Sequence, residues 1–485
     1  MSAAPVVVDD MPFTPPTPEE AKRNKIVIVL LLVAAFVVIL NETVMGVAVP
    51  RLMEDLGISA GTAQWLTSAF LLTMAVVIPV TGFLLQRLTT RAVFLTAMSA
   101  FSIGTFLAAV APGFPVLLVA RVVQAVGTAI MMPLLMTTVM TLVAPDQRGK
   151  TMGFISIVIS VAPAIGPTIS GIILNALDWR WMFWLVLPIA LAALALGFAL
   201  LRNVSPTRKV PLDILSVVLV ILGFGGIVYG LSALGEGAVH GGESPLPLWL
   251  SPTVGVVATT LFVLRQIALQ RRDAALLDLR TLQTPTFTIA LVILALSMMA
   301  MFGGIILMPL LMQNVQGLTT LQSGLMMLPG GLIMGLMAPW VGRQSDLRGP
   351  KPLVLPGSIL TTAALIVMGL SVHSFAILLV GHIMLSVGLA LVFTPVYASG
   401  MGALQRRLYS HGSATIGTVQ QVAGAAGIAL LIAIMTIATG SEIAAGVDQI
   451  EAMARGIRTA FFVAGGISAL AIVMSFFVRS GPAEH

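Results

Sequence analysis

The chain has 485 residues, of which 58% are hydrophobic and only 9% charged, and its mean hydropathy is +1.04. A soluble domain carries about 25% charged residues, so this composition cannot cover a water-facing surface and places the protein in the membrane class. The absence of cysteine excludes disulfides, thiolate metal sites and thiol catalysis; the sequence pI near 10.2 comes from basic residues in twos and threes between apolar runs, with no basic face or aromatic stripe for nucleic acid.

In chain order, the first twenty residues are rich in Pro, Val and acidic side chains and lack the basic n-region of a signal peptide, which predicts a cytosolic tail over 1–25. Lys22, Arg23 and Lys25 then precede a long apolar run and should hold that end of the first helix in the cytoplasm. A bilayer core of about 30 Å needs about 20 helical residues, because unsatisfied backbone groups cannot face lipid. Fourteen segments meet that length: 26–46, 63–84, 92–111, 115–141, 151–174, 181–201, 213–234, 249–269, 286–311, 322–342, 353–371, 375–398, 412–438 and 459–478. With odd helices running outward, twenty of the twenty-five Lys and Arg fall on the cytoplasmic side; Arg51, Arg180, Arg455 and Arg458 fall outside, and Arg121 lies within a span. Dropping or merging one helix would invert the later loops and scramble this bias, so the charges support the count and both cytoplasmic termini.

A repeat divides the chain. Gly82, Gln86, Arg87 and Arg91 in the second-to-third loop have counterparts in Gly342, Asp346, Gly349 and Lys351 in the tenth-to-eleventh, each copy placing a basic residue nine positions after a glycine. Parallel repeats of this kind build two bundles around an axis along the membrane normal. The copies lie eight helices apart, which predicts an N-terminal six-helix bundle over 26–205, two inserted helices with linkers over 206–284, a C-terminal six-helix bundle over 285–480 and a cytosolic tail over 481–485. The fold class is thus an all-α polytopic membrane protein. The inserted pair, with a Gly- and Pro-rich loop at 235–247 and no charge in mid-helix, is expected at the periphery.

The two loops resemble the signature of the major facilitator superfamily, and the likeness runs from Leu40 onward. Arg121-Val-Val-Gln124-Ala-Val-Gly127 in helix four resembles the family's R-x-x-Q-G-x-G, and Gly166-Pro167-Thr-Ile-Ser170-Gly171 in helix five resembles the G-P-x-x-G-G motif of its antiporters. Leu40-Asn41-Glu42-Thr43 and Trp179-Arg180-Trp181 resemble elements of fourteen-helix drug/proton antiporters, and the Asn-Glu-Thr and Phe-Leu-Leu-Gln-Arg wording is most similar to the lincomycin-resistance exporters. The resemblance implies proton-coupled efflux of amphiphilic drugs by alternating access, a bacterial plasma-membrane location, a functional monomer and no cofactor beyond the proton gradient. Gln86 stands where the family has an acid, so Asp346 in the second copy is the better candidate for an ionic gate.

Glu42 is the one carboxylate of nineteen acidic residues placed in the interior of a predicted span, where a charge costs at least about 2.5 to 3.5 kcal/mol. Such a group tends to face a cavity and can carry a proton; the bland reading is that it reaches the outer headgroups. Arg121, the basic residue within a span, cannot deprotonate and needs a carboxylate, amide or water beside it; it could tune the acid in a proton pathway or merely tie bundle helices together, and Gln124 lies one turn along. Asn41 could orient Glu42 or meet substrate. Gly166, Pro167, Ser170 and Gly171 predict a close-packed, kinkable fifth helix. Gln124, Gln313, Asn314, Gln420 and Gln421 could give a cavity its polarity, His382 could titrate, and some of the 27 methionines could line an adaptable wall. No catalytic cluster or phosphate-cradling loop points to an enzyme. An exporter of an endogenous metabolite, lipid or amino acid would read the same way.

Overall fold

The computed structural model describes residues 17–58, 60–203, 213–231 and 249–478; the tails at 1–16 and 481–485 and the loop 235–247 lie outside them. Fourteen described helices are long and apolar enough to cross a membrane. They are α1 Pro18–Leu56, α2 Ala60–Arg87, α3 Thr90–Ala109, α4 Phe114–Leu142, α5 Arg148–Ala176 and α6 Trp181–Leu200, then α7 Ile214–Leu231 and α8 Leu250–Gln270. The rest are α9 Pro285–Val315, α10 Thr320–Arg348, α11 Lys351–Leu370, α12 Phe375–Gly402, α13 Tyr409–Ala444 and α14 Gln449–Ser475.

Local signals set the ends. Thr17 and Glu20 form a capping box that starts α1 ahead of the apolar run, and Gly57, at φ 62°, ends it. α1 is therefore longer at both ends than the predicted span 26–46. α14 begins ahead of the predicted 459, because Asp448 caps it and Arg455 bonds Glu451 (3.0 Å) and Glu442 (2.8 Å). In both cases hydropathy marks only the lipid-facing part of a helix whose charged turns continue into water.

The first six helices pack among themselves, chiefly α3 on α4 and α6, α1 on α5 and α2 on α4; the last six do likewise, with α11 on α12 and α14, α9 on α13 and α10 on α12. The two bundles meet along α5–α10 and α2–α13. α7 and α8 pack on each other, brought close where a side chain at Gly226 or Gly230 would strike Gly255 or Pro252, and flank α2, where Tyr229 meets Trp65 at 5.8 Å. The repeat is structural. Gly57 and Gly317 both end their helices at positive φ, Pro79 and Pro339 both interrupt theirs, and the short 3-10 turns Pro145–Gln147 and Arg406–Leu408 precede α5 and α13 alike. The ends of α2, α4, α10 and α12 share one membrane face, which carries most Lys and Arg and is termed the basic face below.

Candidate transport site

Within the first bundle, away from the basic face, a polar constellation surrounds Arg121. The side chain is buried at 1% exposure, its Nη1 donates to Gln124 Oε1 (3.0 Å), its Nε donates to the Leu66 carbonyl (3.4 Å), and its guanidinium lies 4.2 Å from the Phe70 ring. Gln124 passes the chain on, donating from Nε2 to Thr105 Oγ1 (3.0 Å), which in turn donates to the Phe101 carbonyl (2.7 Å). Both ends of the Gln124 amide are thus occupied in a buried position between α3 and α4, so in this conformation it holds Arg121 and does not line an open cavity. Glu42 on α1 is partly exposed and interacts electrostatically with Arg121 without an ion pair among the described residues. Beside it Asn41 is buried at 2% exposure, and its Nδ2 has no hydrogen-bond partner among the described residues.

Helix α5 closes on this part of α1. A Cβ at Gly166 would collide with Thr43, and Ser170 Oγ donates to the Val44 carbonyl (3.1 Å), so two motif residues seat α5 against the turn that carries Glu42. Gly171 departs from the expectation of close packing: a Cβ there would meet nothing within 4 Å. It sits one residue beyond Ser170, where the Cβ direction meets open space among the described residues. Pro167 lies within α5, and its side chain is outside the described residues.

The loop motifs form the contact between bundles at the basic face. Gly342 meets Gly149 backbone to backbone, and Asp346 accepts from the N–H groups of Gly149 (2.8 Å) and Lys150 (2.9 Å) in the first turn of α5. Asp346 therefore makes no ion pair among the described residues; the expected ionic gate is a carboxylate on a helix N-terminus, whose free N–H groups and dipole favour an anion. At the equivalent place Gly82 faces His411 and Ala414, and the Gln86 side-chain amide lies 2.5 Å from His411 Nε2 at the start of α13. Arg91 donates to the Phe198 carbonyl (2.6 Å) and Lys351 to the Phe476 carbonyl (3.1 Å), each tying the third helix of its bundle to the sixth. Arg87 lies over the Phe83 ring at 5.7 Å, and Gly349 ends α10 at φ 77°.

The remaining candidates scatter. Gln421 donates to Met74 Sδ (3.6 Å), one turn from Phe70, and so connects α13 to the Arg121 constellation; Gln420 is partly buried beside it. Gln313 and Asn314 lie in a π-helical turn at the far end of α9, with Asn314 exposed. Sequence reading missed two histidine relations. His411 joins the bundle contact across 325 residues of chain, a separation with no local pattern. His382 is the repeat counterpart of Arg121: Phe114, Leu117, Leu118, Val119, Arg121 and Gly127 of α4 match Phe375, Leu378, Leu379, Val380, His382 and Gly388 of α12. Its Nε2 bonds the Met327 carbonyl (3.0 Å) on α10, as Arg121 bonds Leu66 on α2. Aligning the two helices, not only the two loops, reveals this.

A sequence profile of the Major Facilitator Superfamily matches residues 31–428. The chain belongs to the major facilitator superfamily. As a member it is a multi-pass membrane transporter of small substrates and not an enzyme. It is 40% identical to the uncharacterized MFS-type transporter YcnB of Bacillus subtilis (strain 168), over 93% of this chain and 94% of that one. It is 38% identical to the lincomycin resistance protein LmrB of the same organism, over 93% and 95%. Among solved structures it superposes on the human organic anion transporter MFSD10 (TETRAN) with a TM-score of 0.69 and 17% identity, covering 95% of this chain and all of that one, a likeness of fold.

Proposed function

We propose that this transporter exports small amphiphilic compounds, antibiotics among them, across the bacterial plasma membrane by alternating access, with proton entry through Glu42 supplying the energy. The observation that carries the reading is Glu42 itself: a carboxyl in the interior of the spans, partly exposed, under the field of a buried guanidinium, on the far side of a contact that closes the basic face. The charge bias supports a cytoplasmic basic face and, with it, cytoplasmic termini. Along α2 the Arg121 constellation at Phe70 stands about 24 Å from the gate at Gln86, so the acid and the gate act at different depths. In the cycle, the cytosolic gate opens to take up substrate, closure turns the cavity outward, and protonation of Glu42 from outside resets the carrier. Arg121, held by Gln124, Leu66 and Phe70, keeps a fixed positive charge in the electrostatic reach of Glu42. A single carboxyl favours neutral or weakly cationic amphiphiles over dications. The name of the LmrB relative supports the drug class. One chain carries both bundles and works as a monomer.

The test is Glu42→Gln, which removes titration with little change of volume, assayed by substrate-driven proton release in everted vesicles. Exchange should be lost while membrane insertion is retained, and wild-type exchange would refute the assignment. A panel of antibiotics, amino acids and lipids on the same vesicles separates drug export from export of an endogenous compound.

A further inference from the structure

The inserted pair α7–α8 does more than flank α2, because the link 271–284 that follows it runs into the basic-face gate. Gln266, at 0% exposure on α8, accepts from the N–H groups of Leu276 (2.8 Å) and Leu277 (3.2 Å) and donates to Ser216 Oγ (2.7 Å) on α7. Ser216 donates to Asp213, whose carboxylate takes two bonds from Arg265 at 2.6 and 2.7 Å. The start of the link is thus fastened to both inserted helices by a closed polar network. Leu276 and Leu277 then bury in a cluster with Phe83 of α2, Ala414 of α13, Val220 and Phe262. One residue further, the Asp278 N–H donates to His411 Nδ1 (3.2 Å), on the ring whose Nε2 faces Gln86.

Phe83 and Gln86 belong to one bundle and Ala414 and His411 to the other. Opening the basic face must part them, and a link anchored to α7 and α8 cannot follow both. We propose that the inserted pair and its link act as a latch that stabilises the basic-face-closed state, with Gln266 and His411 as positioning residues. The proposal rests on the alternating-access reading above. Each lost hydrogen bond should shift the open-to-closed ratio by roughly three- to ten-fold.

Because the chain has no cysteine, spin labels can be placed uniquely at Leu88→Cys and Ala403→Cys, exposed positions on the two sides of the gate. Double electron–electron resonance on the purified full chain then reads the ratio of short to long distances. Gln266→Leu unfastens the link, His411→Gln keeps an amide toward Gln86 but removes the acceptor for Asp278, and Ile437→Ala, on an exposed face of α13 far from the gate, serves as a control. Both latch variants should raise the open fraction, and the double variant should do no more than the larger single, since each breaks the same connection. The control should match wild type. Unchanged ratios in the latch variants, multiplicative effects in the double, or an equal shift in the control would overturn the latch while leaving alternating access standing. A wild-type protein with one distance distribution at every pH and substrate concentration would refute both.

Discussion

Asp346→Asn isolates the contribution of charge to closing the basic face. The carboxylate accepts from two successive N–H groups in the first turn of α5, at 2.8 and 2.9 Å, where backbone donors have no partner within their own helix. Asparagine keeps one acceptor oxygen and loses the charge that the helix terminus favours, which costs about 1 to 2 kcal/mol. Those bonds exist only while α10 touches α5, so the whole loss falls on the closed state and should raise the open-to-closed ratio about 5- to 30-fold. Ser156 supplies the probe: it is 8% exposed, and its hydroxyl lies 2.7 Å from Thr394 across the α5–α12 contact behind the gate. In a Ser156→Cys background, maleimide labelling from the basic face in everted vesicles reports the open population, and Asp346→Asn should speed it by that factor. Ser102→Cys, buried inside the first bundle, should label at the same slow rate with or without the substitution. An unchanged rate at position 156, or a rise at position 102 in step with it, would refute the argument.

Arg121→Lys should retain part of the substrate–proton exchange, since the charge near Glu42 persists while the fork to Gln124 and Leu66 is lost; Arg121→Ala should retain none, and full exchange in the alanine variant would sink the role. Gly166→Ala should impair transport by pushing α5 off Thr43, whereas Gly171→Ala, which meets nothing, should change stability by less than about 0.5 kcal/mol and leave exchange intact. Thermal unfolding in detergent and vesicle transport check both. Hydrogen bonding from Arg265 holds the Asp213 carboxyl well below the usual carboxylate range, so the pair stabilises the fold above the unfolded value of about 3.9 and loses that stabilisation as pH falls below it. Asp213→Asn should therefore lower Tm by a constant amount from about pH 5 to 8, with the deficit shrinking in more acid solution, and a deficit that grows toward acid pH would contradict this assignment.

The fourteen spans were legible in the sequence because each must hide its own backbone from lipid, and that demand writes a run of about 20 apolar residues whatever the neighbours are. The distribution of Lys and Arg and the paired Gly82 and Gly342 loops likewise follow from constraints local to one helix end. Glu42 and Arg121 stood out for the same reason, as charges where charge is costly. What each of them touches was not legible. Gln124 read as a cavity residue until α3 brought Thr105 to its amide, and Asp346 read as an ionic gate of unknown partner until α5 presented two bare N–H groups. Gly171 shares a motif with Gly166, yet only the orientation of α5 against α1 decides that one is pressed on Thr43 and the other is free. The meeting of Gln86, His411 and Asp278 has no trace in any window of sequence, since three segments far apart in the chain supply it. Burial cost is a property of a residue and its near neighbours, and the sequence determines it; a hydrogen-bond partner across a helix interface depends on crossing angle and register, which only the packed bundles decide.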